Sequence, residues 1–290
     1  MGVLMSEQNT INVISDTAFW VCAYRAEETK RQDALFKDPL ADLLAGEKGH
    51  SIARMMSDSR YSSWTIVIRT CVIDEMIDKL IRQNDIEMVV NLGAGLDTRP
   101  YRLDIPKSIQ WIEIDYPHLI EFKDTKLKEE APRCQLERIG VDLSNVNDRQ
   151  KLFEQLNSYN KKTLVLTEGV IPYLSEEQVG SLAADLRSTP NFSYWITEYH
   201  STELYKHQRN KRKNSEMGNS PFQFFPDNWF DVFNKNGWSL KENNYLFEKG
   251  RELSRPFPLP FWAKALYAFI PKKQIEKVKK MSGFVLWTSD

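Results

Sequence analysis

From residue 86 onward the chain alternates short apolar runs with helical segments, and this rhythm constrains the fold more than any other feature. The apolar runs are IEMVVNLG (86–93), IQWIEID (109–115), LERIGVDL (136–143), TLVLTEGVI (163–171) and NFSYWITEY (191–199). Between them lie YPHLIEFKDTKLKEE, NDRQKLFEQLNSY and SEEQVGSLAADLRS, each of helical character. The last opens at Ser175 with Glu176, Glu177 and Gln178 behind it, the pattern of a helix N-terminus. Repeated strand–helix–strand units predict an α/β fold built on a parallel sheet with helices on both faces.

The residues before this rhythm read as helices. TAFWVCAYRAEETK (17–30) is helical, and LFKDPLADLLAG (35–46) carries Pro39 where a new helix would begin. SSWTIVIRTCVIDEMIDKLIRQN (62–84) is long and amphipathic, with Ile66, Ile73, Ile77, Leu80 and Ile81 at helical spacing. After residue 200 a basic run, KHQRNKRKNS (206–215), reads as a solvated loop or flexible insertion near 205–220. A helix over 226–237, closing on Gly237, precedes two strands, WSLKENNYLF (238–247) and GFVLWTSD (283–290). The last strand is expected to pair antiparallel beside the penultimate one and close the sheet.

Composition narrows the function classes. The formal net charge of −1 gives no global attraction to polyanions, so nucleic acid is not the expected partner. Cys22, Cys71 and Cys134 show no CxxC spacing, which suits a reducing compartment. The four histidines form no H-x-x-x-H pair, and no metal site is expected. The N-terminal stretch lacks the basic start and apolar block of a signal peptide. PFPLPFWAKALYAFIP (256–271) is interrupted by prolines and Lys264, so no membrane span is expected and the cytoplasm is the default location.

The first apolar run ends in Gly93-Ala94-Gly95, which asks for a nucleotide across the turn. A dinucleotide site needs a third glycine for tight helix packing, and that position is Thr98, followed by Arg99-Pro100. The pyrophosphate therefore loses its most specific support. Asp115 survives, at the end of the next strand and twenty residues after Gly95, where an acid grips ribose hydroxyls. A nucleoside without pyrophosphate fits these residues, and S-adenosylmethionine is one. Ligands of open parallel sheets bind outside the carboxyl ends of the strands. Asp142 with Leu143, and then Glu168, stand at the next two strand ends. The first pair could receive an adenine, while Glu168 could face the amino group or the sulfonium. Asp142 could equally be a helix N-cap.

VNLGAGLDTRPYRL, WIEIDYP, GVDL and LTEGVIPYLS, in this order and spacing, resemble the leucine carboxyl methyltransferase family. TAFWVCAYRAEET and LFKDPLA resemble its bacterial O-methyltransferase branch, of the tetracenomycin polyketide type, so the likeness covers roughly residues 17–200. The resemblance implies a class I, Rossmann-like methyltransferase sheet of seven strands. Residues 1–85 would form a helical cap within the same domain, and 86–290 the methyltransferase domain. It implies that Gly93 and Gly95 lie under S-adenosyl-L-methionine, Asp115 holds the ribose, Asp142 and Leu143 frame the adenine, and Glu168 sits near the amino acid end. Arg69 matches the arginine that takes the cofactor carboxylate, and Arg25 is the first choice for a basic residue from the N-terminal segment, with Lys30 and Arg31 as alternatives.

Two residues are candidates on the acceptor side. Tyr173 reads as a packing aromatic or as a wall of an acceptor pocket, and His200 as a base after a strand end. A carboxylate acceptor would need a cation, for which Arg99 is a candidate; a hydroxyl acceptor would benefit from a base. The expected activity is methyl transfer from S-adenosylmethionine to an oxygen, carboxylate or hydroxyl, of a small molecule. The alternatives are a protein C-terminal carboxylate as acceptor, a NAD(P)-dependent oxidoreductase, or a cofactor-binding regulator without turnover.

Overall fold

The structure is a computed structural model, and it describes residues 17–56, 59–205, 222–259 and 271–289. Three helices come first: α1 (Thr17–Lys30), α2 (Ala41–Met55) and α3 (Ser59–Arg82). Helix α2 opens at Ala41, not at Pro39, because the Ala41 N–H donates to the Asp38 carbonyl in a turn that spans the proline. Five strands then alternate with helices: β1 (Met88–Leu92), the short α4 (Arg99–Arg102), β2 (Gln110–Asp115), α5 (Pro117–Lys126), β3 (Gln135–Gly140), α6 (Val146–Asn157), β4 (Thr163–Thr167), α7 (Glu176–Arg187) and β5 (Phe192–His200). The chain continues through α8 (Trp229–Lys235), β6 (Ser239–Tyr245), α9 (Leu246–Glu252), α10 (Lys272–Lys279) and β7 (Ser282–Thr288).

The seven strands form one sheet in the order β3-β2-β1-β4-β5-β7-β6. Strands β1 to β5 are parallel, and β7 runs antiparallel to both of its neighbours. The final strand thus pairs beside the penultimate one as expected, but it sits inside the sheet and leaves β6 as the edge. The burial follows: the stretch Phe284–Trp287 of β7 is fully covered, whereas Ser239, Leu240 and Lys241 of β6 are exposed. The order 3-2-1-4-5 also reverses direction between β1 and β4, and such a switch point opens a crevice at the strand ends.

Every residue of β1 and β4 is buried, as a parallel sheet covered on both faces requires. On one face Val90, Ile112, Val165 and Trp195 meet α6, α7 and α8 through Phe153, Leu182 and Phe233. On the other, Val89, Trp111, Leu164 and Ile196 meet Ile73, Met76 and Leu80 of α3. Helices α1 and α2 enclose a third cluster around Tyr24, Leu44 and Ile52, which reaches Leu96 behind the glycine turn. Helix α7 carries the capping box read from its sequence: Ser175 Oγ accepts from the Gln178 N–H, and the Gln178 side chain accepts from the Ser175 N–H. No helix among the described residues is long and apolar enough to cross a membrane. The basic run 206–215 lies outside the described residues.

Candidate active site

The carboxyl ends of β3, β2, β1, β4 and β5 open into one cavity of about 1220 Å³. That exceeds the space a single small ligand needs. Its lining takes in Arg25, Arg69, Gly93, Gly95, Asp115, Asp142, Leu143, Glu168, Tyr173 and His200. The strand order lays the strand-end groups out in a line: Asp142, then Asp115, then the glycine turn, then Glu168.

The turn after β1 needs its glycines. Gly93 and Gly95 hold φ values of +68° and +48°, a region disfavoured for residues with a Cβ. A Cβ at Gly93 would also come within 2.5 Å of Val170 Cγ2. Asp115 braces this turn from the neighbouring strand. Its Oδ2 accepts from the Gly95 N–H at 2.6 Å and its Oδ1 from the Tyr116 N–H at 2.7 Å. Burial nevertheless pushes its carboxyl above the usual value, with the two N–H groups pulling the other way.

Asp142 does not cap α6. The N-cap is Asn145, whose Oδ1 accepts from Asn147 and Asp148, whereas Asp142 Oδ1 accepts from Ser144 in the preceding loop. Its carboxylate therefore faces the cavity from a short turn, with Leu143 half-buried beside it.

Glu168 is clamped between two arginines. Its Oε1 lies 2.9 Å from Arg69 Nε of α3, and its Oε2 accepts from Arg99 Nη1 at 2.7 Å. Arg99 is the hub of this region. Its side chain is 3% exposed and also pairs with Asp97 at 2.9 Å and Asp74 at 2.7 Å. Burial works to raise the Glu168 carboxyl, and Arg99 followed by Arg69 overrides it and holds the group below the usual range. Arg99 thus already faces three carboxylates, which offset its charge and leave it a poor cation for a carboxylate acceptor.

Arg25 is likewise tied down. Its Nε donates to Asp38 at 2.8 Å and its Nη2 to the Leu96 carbonyl at 2.6 Å, so it fixes the backbone just after the glycine turn. Lys30 and Arg31 are exposed and pair with Asp42 and Asp33 at the surface, away from the cavity lining. Tyr173 stands on the turn after β4 with its ring 5.2 Å from that of Phe222, and His200 at the end of β5 stacks on the same ring at 6.1 Å.

One lining residue escaped the sequence reading. Glu198, in β5, is 4% exposed. Its Oε1 accepts from the Val170 N–H at 3.0 Å, and its buried Oε2 has no hydrogen-bond partner among the described residues. Burial, chiefly, pushes its carboxyl up to about 7. The signal was present: Glu198 interrupts the apolar run NFSYWITEY as Glu168 does TLVLTEGVI, and an acid in such a run needs a partner or a ligand.

Residues 18–187 match the model of the family described as leucine carboxyl methyltransferase. The chain belongs to that family. Among curated relatives, a Streptomyces avermitilis protein assigned as an S-adenosyl-L-methionine-dependent methyltransferase is 32% identical over 177 residues, 58% of this chain and 62% of that protein. A Mycobacterium marinum protein of the same assignment is 30% identical over 217 residues, covering 67% and 66%. The chain thus spans about six tenths of the length of the curated relatives it matches. The crystal structure of a DUF574 family protein from Streptomyces avermitilis shares the fold, with a TM-score of 0.59 at 13% identity over 94% of this chain and 97% of that one. A methyltransferase structure from Thermobifida fusca, so assigned, aligns with a TM-score of 0.55 at 12% identity, over 98% and 96%. These structures share the class I methyltransferase architecture.

Proposed function

We propose that the protein is an S-adenosylmethionine-dependent methyltransferase that transfers a methyl group to an oxygen of a small molecule. The observation that carries this reading is the line of strand-end groups, Asp142, Asp115, the glycine turn and Glu168, facing one cavity large enough for two ligands. Family membership supports it, as do the assignments of the relatives.

The residues fit the cofactor. Each Asp115 oxygen accepts one backbone N–H and keeps capacity for a further donor, which two ribose hydroxyls would supply. Asp142 would accept the adenine amino group, with Leu143 packed on the ring. Arg69 meets Glu168 through Nε, so its terminal nitrogens would take the cofactor carboxylate. Glu168 would face the ammonium. Asn91 Oδ1, buried near the end of β1 without a hydrogen-bond partner among the described residues, is a further acceptor in the lining.

When bound, the cofactor supplies an electrophilic methyl carbon on a positively charged sulfur. The chain's own part is to align the acceptor oxygen with that carbon and to exclude water, and positioning provides most of the rate. The missing third glycine at Thr98 opposes a dinucleotide, and Thr98 Oγ1 is engaged with Asp38 at 2.7 Å. Calorimetric titration with S-adenosylhomocysteine and with NADH tests the reading. Binding of the first alone is expected; binding of NADH alone would overturn it.

A further inference from the structure

Five arginines line the cavity, and each already faces a carboxylate: Arg25 with Asp38, Arg69 and Arg99 with Glu168, Arg102 with Asp74, and Arg149 with Asp185. No lysine belongs to the described lining. With the terminal nitrogens of Arg69 given to the cofactor carboxylate, an acceptor carboxylate would meet no cation in the described lining that is not already paired with an acid. Glu198 presents the opposite chemistry. It is a carboxyl with one oxygen held by the Val170 N–H and the other buried and, among the described residues, unpartnered.

Its place in the sheet decides which ligand it serves. The line from Asp142 to Glu168 spans β3 to β4, and β5 is the next strand, about 5 Å further across the sheet. Glu198 thus lies one step beyond the amino acid end of the proposed cofactor seat, where an acceptor would approach. Aromatic rings wall this cavity. Tyr61 stacks on Phe257 at 5.4 Å, Trp64 and Phe257 form a T-shaped pair at 4.9 Å, and Tyr173 meets Phe222 at 5.2 Å. Such walls suit a flat apolar acceptor with few polar groups.

We propose that Glu198 receives the proton of a hydroxyl acceptor, and that the acceptor is an aromatic alcohol rather than a carboxylate. This rests on the methyltransferase reading and narrows its substrate class. As the hydroxyl oxygen bonds to the methyl carbon, the carbon–sulfur bond breaks and its electron pair returns to sulfur. The hydroxyl proton passes to the Glu198 carboxylate, whose Oε2 has no competing hydrogen-bond partner among the described residues. A carboxylate acceptor carries no such proton and would set a second negative charge beside Glu198.

Several charged or titratable groups bear on Glu198: Arg69 from α3, Glu168 after β4, Tyr205 beyond β5 and His200 two residues along its own strand. Burial and Glu168 favour its neutral form and Arg69 its charged form, which leaves the carboxyl titrating at about 7, where a proton acceptor works well at neutral pH.

The test supplies methyl-labelled S-adenosylmethionine with para-cresol or phenol as hydroxyl probes and para-toluate or benzoate as matched carboxylates. The expected product is the aryl methyl ether, formed at a rate that rises with pH to a plateau through a midpoint of about 7. Glu198→Gln is expected to lower kcat by about 100-fold or more and to flatten the profile. Its affinity for S-adenosylhomocysteine should stay at the wild-type value, which shows that the variant is folded. Glu198→Asp should restore part of the rate. The proposal is overturned if the carboxylates yield ester faster than the phenols yield ether. It is also overturned if no ether forms while S-adenosylhomocysteine binds, or if Glu198→Gln keeps the wild-type rate and profile. Failure of the wild-type protein to bind S-adenosylhomocysteine would instead remove the parent reading.

Discussion

At the end of β2, Asp115 commits one carboxylate to two backbone N–H groups while facing the cavity, so its removal tests both roles. Asp115→Asn keeps the shape and one acceptor oxygen. It removes the charge that strengthens each bond to a ribose hydroxyl, and hydrogen bonds to charged groups are worth about 1.5–3 kcal/mol. The variant is expected to bind S-adenosylhomocysteine about 10- to 100-fold more weakly by calorimetry, with an unchanged circular dichroism spectrum. Unchanged affinity would remove Asp115 from the site. Residues like this one were legible in the sequence because they end strands, and strand ends can be counted from local apolar runs. Arg99 was not. Its partners Asp74, Asp97 and Glu168 lie up to 69 positions away, and only the folded chain brings those acids to one guanidinium. Glu198 was missed for a different reason: in a strand buried on both faces, alternation no longer marks which side chain departs from the core.

Elements were more legible than residues. The helices over 17–30 and 62–84, the five parallel strands and the capping box of α7 all follow from patterns within about twenty residues. The position of β7 between β5 and β6 does not, since it pairs Trp287 with Trp195 across 92 positions (287 − 195). Local periodicity has no information about which edge a final strand will enter. The capping box offers a quantitative check at this scale. Ser175→Ala removes the acceptor for the Gln178 N–H and is expected to lower the unfolding free energy by about 1 kcal/mol, read from urea unfolding with an unchanged slope. Gln178→Ala breaks only the reciprocal bond and should cost less. A wild-type midpoint for Ser175→Ala would mean that tertiary packing through Val179 and Leu182, rather than the cap, holds the start of α7.

Across the whole molecule, the buried acids pull stability in opposite directions as pH changes. Burial works to raise Asp97 and Glu168, but Arg99 leads the neighbouring cations in lowering both below their ordinary values of 3.8 and 4.5. Their contribution to stability is present above those ordinary values and is lost as pH falls through the lowered ones. Glu198 behaves in the reverse sense. Its folded carboxyl titrates at about 7 against an ordinary 4.5, so the folded state binds its proton more tightly than the unfolded chain does. That contribution is full below about 4.5 and is lost as pH rises through about 7. Asp115, raised by burial, acts in the same direction. The ligand-free protein should therefore be most stable in mildly acidic solution. It should lose on the order of 1–3 kcal/mol between about pH 5 and 8, since each tenfold difference in proton affinity between folded and unfolded chain is worth about 1.4 kcal/mol. Urea midpoints across this range measure the slope, and Glu198→Gln should remove most of it while leaving the acid limb in place. A wild-type midpoint that climbs steadily from pH 5 to 8 would mean that Glu198 is ionised throughout. The ionised form that would accept a proton from substrate is the form that folding disfavours, so the stability of the fold bears the cost of preparing the base.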